Sequence, residues 1–174
     1  MRWSLCCAIL VGMSQSVTIV GAGLAGSEAA LQRADRGVRV RLGEMRPKTP
    51  TPVHVTGCCA ELVCSNSLKS EKPDSAAGML KRELAELGSQ LYAQAKLHAV
   101  PAGGALAVDR TAFAEAVTAL VEAHPLIDLV HDEIVDIVQA AEGADALVVA
   151  AGPLASDALC ASPSRPPGEE HLAS

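Results

Sequence analysis

Three glycines near the amino end, at positions 21, 23 and 26, have the spacing of a phosphate-binding turn. An apolar run that starts at Ser16 precedes them and helix-forming residues follow them, which is the strand-to-helix context that a dinucleotide-binding fingerprint requires. Gly21 would permit the tight turn, Gly23 would leave the backbone open to a pyrophosphate, and Gly26 would let the helix lie close to the strand. The residues predicted to bind a dinucleotide here are Gly21, Ala22, Gly23, Leu24, Ala25 and Gly26.

A carboxylate follows at the place where the ribose of such a dinucleotide would lie. Glu44 ends the alternating run from Val38, and the fingerprint calls for an acid about 20 residues after its last glycine. At the end of a second strand, this carboxylate can accept hydrogen bonds from both ribose hydroxyls. The alternative interpretation is a glycine-rich turn in an α/β protein that binds no nucleotide.

The elements that must position these residues alternate between strand and helix, which predicts an α/β fold. The fold class expected is Rossmann-like, with a βαβ start and a parallel sheet that remains incomplete. Leucines at helical spacing predict one amphipathic helix from Ser75 to about His98. Asp109 stands where a cap belongs for a helix from Arg110 to Ala123. The run from Asp145 to Ala151 predicts a buried strand.

The length, hydrophobic content, net charge and cysteine spacing limit the classes of protein to which the chain can belong. The chain has 174 residues, 49% of them hydrophobic, which suits about one domain with a real core. A formal net charge of −6 gives no general attraction to nucleic acid. No apolar stretch reaches the roughly 20 residues of a membrane span. The six cysteines include no Cys-x-x-Cys pair, so we predict no metal site and a reducing, cytosolic setting.

The two ends differ from the middle of the chain. Residues 1–12 are expected to be a disordered leader or a misassigned start, since no small-residue cleavage site follows their apolar run. Residues 13–161 are expected to form the N-terminal part of the nucleotide-binding domain. Residues 162–174 are polar and rich in proline, and are expected to be disordered. The sheet would lack its usual later strands, which suggests a truncated or frame-shifted product.

Five longer stretches together resemble one family. They are Gly21–Ala30, Glu44–Pro47, Glu61–Leu68, Val100–Arg110 and Ala151–Ser156. They are similar to the folate- and flavin-dependent tRNA (uracil-5-)-methyltransferases of the TrmFO or Gid type. The first two stretches would fit many flavoproteins, whereas the third and fourth are far more specific. The similarity runs from about Val17 to Leu159.

The resemblance implies an FAD-binding domain and a set of partners. FAD would be held by the Gly21–Gly26 turn and by Glu44, and methylenetetrahydrofolate would be the one-carbon donor. NADH or NADPH would supply reducing equivalents, and the product would be 5-methyluridine in the T-loop of tRNA. The family's cysteine implicated in attack on uracil falls on Cys64.

A thiol suits that role on chemical grounds. Uracil C5 is a poor nucleophile until a group adds at C6, and a thiolate can add there and later leave. A free cysteine titrates near pH 8.5, so Cys64 would need a helix N-terminus, Arg46 or His54 to favour its thiolate. The alternative is that Cys64 is a small buried residue beside Leu62 and Val63.

Other matched positions leave two interpretations open. His54 matches a family histidine and would contact substrate or flavin, or else is a loop histidine without a role. Asp109-Arg110 resembles a family pair near the cofactor, or else is a helix N-cap followed by an exposed first-turn residue. The chain departs from the family where Gly43 replaces an aromatic residue, Cys59 replaces a phenylalanine, and Gly57-Cys58 replaces a polar pair.

Two competing functions remain. One is the related Gid-type flavoprotein that modifies the wobble uridine of tRNA, which the stretch from Val63 to Ser67 disfavours. The other is a non-catalytic remnant that binds the adenosine half of FAD. Because family members are much longer, this chain alone is not expected to methylate tRNA.

Overall fold

The computed structural model describes residues 15–162 of the chain. The expectation for residues 1–12 therefore lies outside the described residues, as does the expectation for the tail beyond Ser162. The proposed domain boundaries at 13 and 161 stay predictions.

The described residues contain both strands and helices, and the strands of the first sheet are connected through segments that contain helices. The strands are β1 (Ser16–Val20), β2 (Arg39–Glu44), β3 (Ser67–Ser70), β4 (Ala99–Val100), β5 (Ala105–Val108), β6 (Ile127–His131) and β7 (Ala146–Val149). The helices are α1 (Leu24–Ala34), α2 (Ala76–Glu86), α3 (Gln90–Leu97), α4 (Arg110–Ala123), α5 (Ile137–Ala141) and α6 (Asp157–Ala161), with a 3₁₀ turn at Gly152–Leu154.

Four strands form a parallel sheet in the order β6-β2-β1-β7. Val17 of β1 lies opposite Val40 of β2 and, on its other side, opposite Ala146 of β7. The α1 crossover leads to one side of β1, whereas the later strand β7 pairs on its other side, so the strand order reverses at β1. The α/β fold with a βαβ start and a parallel sheet is confirmed, and such a reversal is where open α/β sheets bind ligands.

A second, antiparallel sheet in the order β3-β5-β4 is inserted between β2 and β6. Its strands are short, and β3 pairs with β5 through an irregular register. The loop before β3 carries Cys64, and the end of β5 leads through Asp109 into α4. The insertion therefore places two of the family-like stretches beside each other, because Val108 donates its amide hydrogen bond to the carbonyl of Asn66.

The core is aliphatic and lies between the parallel sheet and helices α1, α3 and α4. Central strand residues alternate in direction, and those of β1 are buried on both faces, as in helix-covered parallel sheets. Fully buried members include Ile19, Leu31, Leu42, Phe113, Val117 and Val121. This packing holds the carboxyl ends of β1 and β2 at fixed positions.

The single helix predicted from Ser75 to His98 is wrong. Gly88 has φ +71° and separates α2 from α3, and the Ser89 side chain caps α3 by accepting from the amide of Tyr92. The leucines of α2 are also not its buried face, since Leu80 is 56% exposed and the buried residues are Gly78 and Lys81. Helix α2 instead approaches the preceding segment closely at Gly78, where an added Cβ would lie 1.9 Å from the carbonyl oxygen of Lys72.

The prediction of a buried strand over 145–151 is right in type but wrong in burial. Strand β7 is shorter, lies at an edge of the described sheet, and leaves Val149 55% exposed. The capped helix Arg110–Ala123 is confirmed, with the Asp109 carboxylate accepting from the amides of Thr111 and Ala112. Within residues 15–162, no helix is both long and apolar enough to cross a membrane.

Candidate functional site

The turn between β1 and α1 depends on two glycines that no other residue could replace without strain. Gly21 has φ +97°, and a Cβ there would lie 2.8 Å from the carbonyl oxygen of Ala150. A Cβ on Gly26 would lie 1.8 Å from the carbonyl oxygen of Gly21. The first glycine therefore allows the turn and the third allows α1 to approach the strand, as the fingerprint requires.

Gly23 differs from these two glycines because a Cβ added there would meet nothing within 4 Å. It is the N-cap of α1, it offers no side chain to the helix amides, and the first helical turn carries no acidic residue. The first amides of α1 are thus left uncapped by side chains at the positive end of the helix dipole. Open space beside such a helix end suits a phosphate group.

Glu44 lies at the carboxyl end of β2 and is only 5% exposed. Its Oε2 accepts a hydrogen bond from the Ala22 amide at 2.9 Å. Its Oε1 accepts from the backbone amide of Arg46 at 3.1 Å and from the Nε of the same residue at 2.8 Å. The acid that the sequence assigns to ribose is therefore bound to the glycine turn and to Arg46.

These contacts determine the direction of the pKa shift of Glu44 and how many further hydrogen bonds its carboxylate can accept. Burial by itself would raise the pKa of Glu44, but hydrogen bonds from Arg46 and from the Ala22 amide outweigh it and hold the pKa below the ordinary value. A carboxylate oxygen accepts about two hydrogen bonds, so Oε1 is filled and Oε2 has room for one more donor.

A crevice of about 310 Å³ opens at the carboxyl ends of all four parallel strands. Gly21, Gly23, Leu24 and Ala25 of the predicted set lie in its wall, and Glu44 lies beside them. Further lining residues come from the segments that follow β6 and β7, including Asp132, Glu133, Ile134 and Ala150–Ser156. The volume is in the range of small-molecule sites.

Arg46 connects this crevice to the loop that follows β2. Its side chain is 4% exposed and pairs with Glu44 at 2.8 Å and with Glu61 at 3.0 Å. Burial alone would raise the pKa of Glu61, but hydrogen bonds from Thr56 and Val55 and the charge of Arg46 lower it. The guanidinium is thus committed to two carboxylates.

His54 also lines the crevice. Its backbone amide donates to Thr51 Oγ1 at 3.2 Å, and its ring Nδ1 lies 2.6 Å from the same oxygen. Which of the two atoms donates in the contact between Thr51 Oγ1 and Nδ1 depends on the tautomer of the ring. Partial burial lowers the pKa of His54, and the charge of Arg46 lowers it further.

Cys64 is exposed, in the loop immediately before β3. The alternative that it is a small buried residue is therefore wrong. The adjacent Val63 lines the crevice, whereas Cys64 itself is not among the lining residues. No helix begins after Cys64, because Ser65 instead forms a short turn by accepting from the amide of Ser67, and a strand follows. The helix N-terminus considered as an aid to the thiolate is absent from this loop.

Cys59 is the buried cysteine of the same loop. Its side chain is fully buried, and its backbone amide donates to Thr118 Oγ1 at 2.9 Å. Burial raises the pKa of the Cys59 thiol to about 11. The two cysteines therefore differ sharply in access to solvent, and Cys64 is the one suited to react.

A second, open cleft is lined in part by the two residues that follow Cys64. Ser65, Asn66, Asp109 and Arg110 line it. Asp109 caps α4, as its alternative interpretation predicts, while Arg110 is exposed at the start of that helix. Arg110 does not line the crevice that holds Gly21 and Glu44.

One of the departures from the family has a structural counterpart. A Cβ on Gly43 would lie 2.4 Å from the Cδ1 of Ile134, so the Ile134 side chain fills the space beside this position. The glycine therefore lets the segment after β6 approach the end of β2, at the crevice wall.

No metal site is found among residues 15–162, where no group of three or more potential ligands is close enough to hold an ion. The sequence missed other members of the crevice wall, namely Glu61 and the Asp132–Ile134 segment. A signal for the second was available, since the carboxyl ends of parallel strands meet at one edge. Glu61 begins one of the family-like stretches, but no sequence pattern indicated its pairing with Arg46.

Comparison with known protein families identifies one that spans most of the chain. The family model described as glucose inhibited division protein A matches residues 16–173. Methylenetetrahydrofolate--tRNA-(uracil-5-)-methyltransferase TrmFO from Desulforudis audaxviator is 52% identical over 160 residues, which are 92% of this chain and 36% of that protein. The protein of the same name from Geobacter sulfurreducens is 54% identical over 147 residues, 84% of this chain and 33% of that protein.

The chain thus spans about a third of the length of the curated relatives it matches. Among solved structures, a mutant of 2-methyl-3-hydroxypyridine-5-carboxylic acid oxygenase is similar at 15% identity with a TM-score of 0.39. That similarity covers 67% of this chain and 31% of the other.

Proposed function

The chain belongs to the glucose inhibited division protein A family, and from that premise we propose that it provides the FAD-binding and uracil-attacking part of a tRNA (uracil-5-)-methyltransferase. The resemblance to proteins of the TrmFO or Gid type is confirmed at the level of the family. The observation that carries the proposal is that the glycine turn and Glu44 line one crevice, to which the loop before Cys64 contributes Glu61 and Val63. Relatives of about 50% identity that are named for this methyltransferase support it.

The residues present fit the adenosine diphosphate part of FAD. The open position beside Gly23 and the uncapped start of α1 suit the pyrophosphate. Glu44 Oε2, which has room for one more donor, suits one ribose hydroxyl rather than both. We retain as FAD-binding residues Gly21, Gly23, Leu24, Ala25 and Glu44, which line the crevice, together with Ala22 and Gly26, which shape the turn without lining it.

Bound FAD would supply the carrier for the one-carbon unit and the electrons for its reduction. Methylenetetrahydrofolate would be the donor and NADH or NADPH the reductant. The one-carbon unit would be delivered to a uridine of tRNA in the cytoplasm. The part of this activity that we assign to the chain is the FAD crevice and the Cys64 thiol.

Cys64 would act as the nucleophile. Its thiolate sulfur would form a bond to C6 of uracil, and the electron pair of the C5–C6 double bond would move toward the C4 carbonyl, so that C5 becomes nucleophilic. After C5 has reacted and lost its proton, the C6–S bond would break and the thiolate would leave. The Cys64 thiol is exposed, so a base can reach it from solvent.

Reversible addition of Cys64 to uracil has a signature that needs no cofactor. Each addition at C6 allows the C5 hydrogen to exchange with solvent, so a uridine-containing T-arm hairpin in D₂O should gain deuterium at C5. We expect exchange with the chain and with its Cys160→Ser variant, and none with Cys64→Ser. Exchange that persists in Cys64→Ser would exclude the assigned nucleophile.

A further inference from the structure

The loop that carries Cys64 is closed on itself by Glu61. The Oε1 of Glu61 accepts from the Val55 amide at 2.8 Å. Its Oε2 accepts from the Thr56 amide at 3.1 Å and from Thr56 Oγ1 at 2.6 Å. Residues 55–61 therefore form a ring of hydrogen bonds around one carboxylate, and Cys64 follows three residues later.

Arg46 links this ring to the ribose end of the crevice. Its Nε donates to Glu44 Oε1, and its Nη1 donates both to Glu61 Oε2 at 3.0 Å and to the carbonyl of Thr56 at 3.3 Å. Its Nη2 donates to the carbonyl of Cys58 at 3.2 Å. The planar guanidinium therefore holds Glu44 on one side and the Cys64 loop on the other.

Burial makes this arrangement hard to rearrange. Arg46 and Glu44 are almost fully buried, and a charge left there without its partner would be costly. If the Glu44 carboxylate moves, the Arg46 side chain has to move with it to keep the ion pair. If the Arg46 side chain moves, the Glu61 carboxylate has to move in turn. The main chain adds one direct link, because the Ala60 amide donates to the carbonyl of Ala22 at 2.8 Å.

We propose that Arg46 is a positioning residue, which through Glu61 makes the mobility of the Cys64 loop depend on whether a ribose is bound at Glu44. The proposal rests on the proposed function for the identity of the crevice ligand. A ribose hydroxyl on Glu44 Oε2 would fix the carboxylate from its open side and thereby restrict Arg46. The thiol would then be presented to uracil in one arrangement when the cofactor is in place.

The test measures the alkylation rate of Cys64 by iodoacetamide, resolved by peptide mass spectrometry, with and without saturating ADP. ADP carries the ribose and pyrophosphate but lacks the flavin ring, which would otherwise shield the thiol directly. We expect ADP to change the Cys64 rate roughly fivefold or more, in the range typical of coupled sites. The rate of a free low-molecular-weight thiol in the same sample should stay the same.

The matched variants are Glu61→Gln and Glu115→Gln. Glu61→Gln keeps the shape of the side chain but removes the charge that pairs with Arg46, whereas Glu115 is an exposed carboxylate of α4. We expect the Glu61→Gln variant to bind ADP but to show little change in the Cys64 alkylation rate when ADP is added. The Glu115→Gln variant should show the same change as the unmodified chain. An ADP effect of wild-type size in Glu61→Gln would overturn the proposal.

The outcomes separate this inference from the proposed function. If ADP binds, as measured by calorimetry, but leaves the Cys64 rate of the unmodified chain unchanged, the positioning role is overturned and the FAD crevice stands. If neither ADP nor FAD binds, both proposals are overturned. Circular dichroism of Glu61→Gln shows whether it folds, and Thr56→Val, which removes one donor to Glu61, is the variant to use if it does not. An unchanged ADP effect in Thr56→Val would then count against the proposal.

Discussion

The carboxylate of Glu44 accepts a hydrogen bond from the backbone amide of Ala22, with 2.9 Å between Oε2 and the nitrogen. This bond joins the end of β2 to the middle of the glycine turn. The two parts of the fingerprint, which are separated by a whole helix in sequence, therefore form one wall of the crevice. The remaining lone pair of Oε2 is what the ligand would use.

Two glycines of the turn should differ in their contribution to the free energy of unfolding. Gly26→Ala should lower the free energy of unfolding by at least about 2 kcal/mol, because its Cβ would meet the Gly21 carbonyl oxygen at 1.8 Å. Gly23→Ala should change it by less than about 0.5 kcal/mol, because nothing lies within 4 Å of its Cβ. Urea unfolding measures both, and equal losses would contradict this account of the turn.

Removal of the Glu44 charge should destabilise the chain in a pH-dependent way. Glu44→Gln should cost about 2–3 kcal/mol at pH 7, since it leaves Arg46 short of one buried partner. The folded-state pKa of Glu44 is lowered, so its contribution is complete above the unfolded pKa of about 4.3 and is lost as the pH falls through the folded value. The gap between wild type and variant should therefore shrink in acid. A gap that grows as the pH falls below 4 would be inconsistent with the lowered pKa.

The cysteines of the loop should react at very different rates. At pH 8, Cys64 should be alkylated by iodoacetamide in the folded chain, whereas Cys59 should be protected until the chain unfolds. The physical reason is the burial of Cys59, which also raises its pKa to about 11. Peptide mass spectrometry with and without urea measures both rates, and comparable rates in the folded chain would refute the assignment.

The cap of α4 should contribute a modest, separable amount of stability. Asp109→Ala should lower the free energy of unfolding by about 1 kcal/mol, because the amides of Thr111 and Ala112 lose their acceptor. Asp109→Asn retains an acceptor oxygen and should cost less. Thermal unfolding of the two variants compares them, and an equal loss in both would point to the charge rather than the cap.

The sequence predicts most accurately those features that depend on residues close together along the chain. The glycine turn, the strand ending at Glu44 and the capped helix after Asp109 each depend on residues within a few positions of one another. The family-like stretches add the choice of Cys64, which no periodicity indicates. The fold class follows from the alternation of strands and helices.

The failures share a cause, which is contact across the fold. The leucines of α2 have ideal helical spacing, yet the backbone approach at Gly78 turns another face inward and Gly88 ends the pattern. Strand β7 has the composition of a central strand but lies at an edge of the described sheet. The role of Glu61 depends on Arg46, 15 residues earlier, and no rule of spacing links such a pair.

The most direct test is a titration of the purified chain with FAD, followed by the change in flavin fluorescence. We predict saturable binding of one FAD per chain, weakened about tenfold or more in Gly23→Ala, where the methyl group enters the space for the pyrophosphate. Gly104→Ala, whose Cβ would meet only the flexible end of Lys72, is the matched control and should bind normally. Absence of binding, or equal affinity in Gly23→Ala and wild type, would contradict the claim that this crevice holds the cofactor.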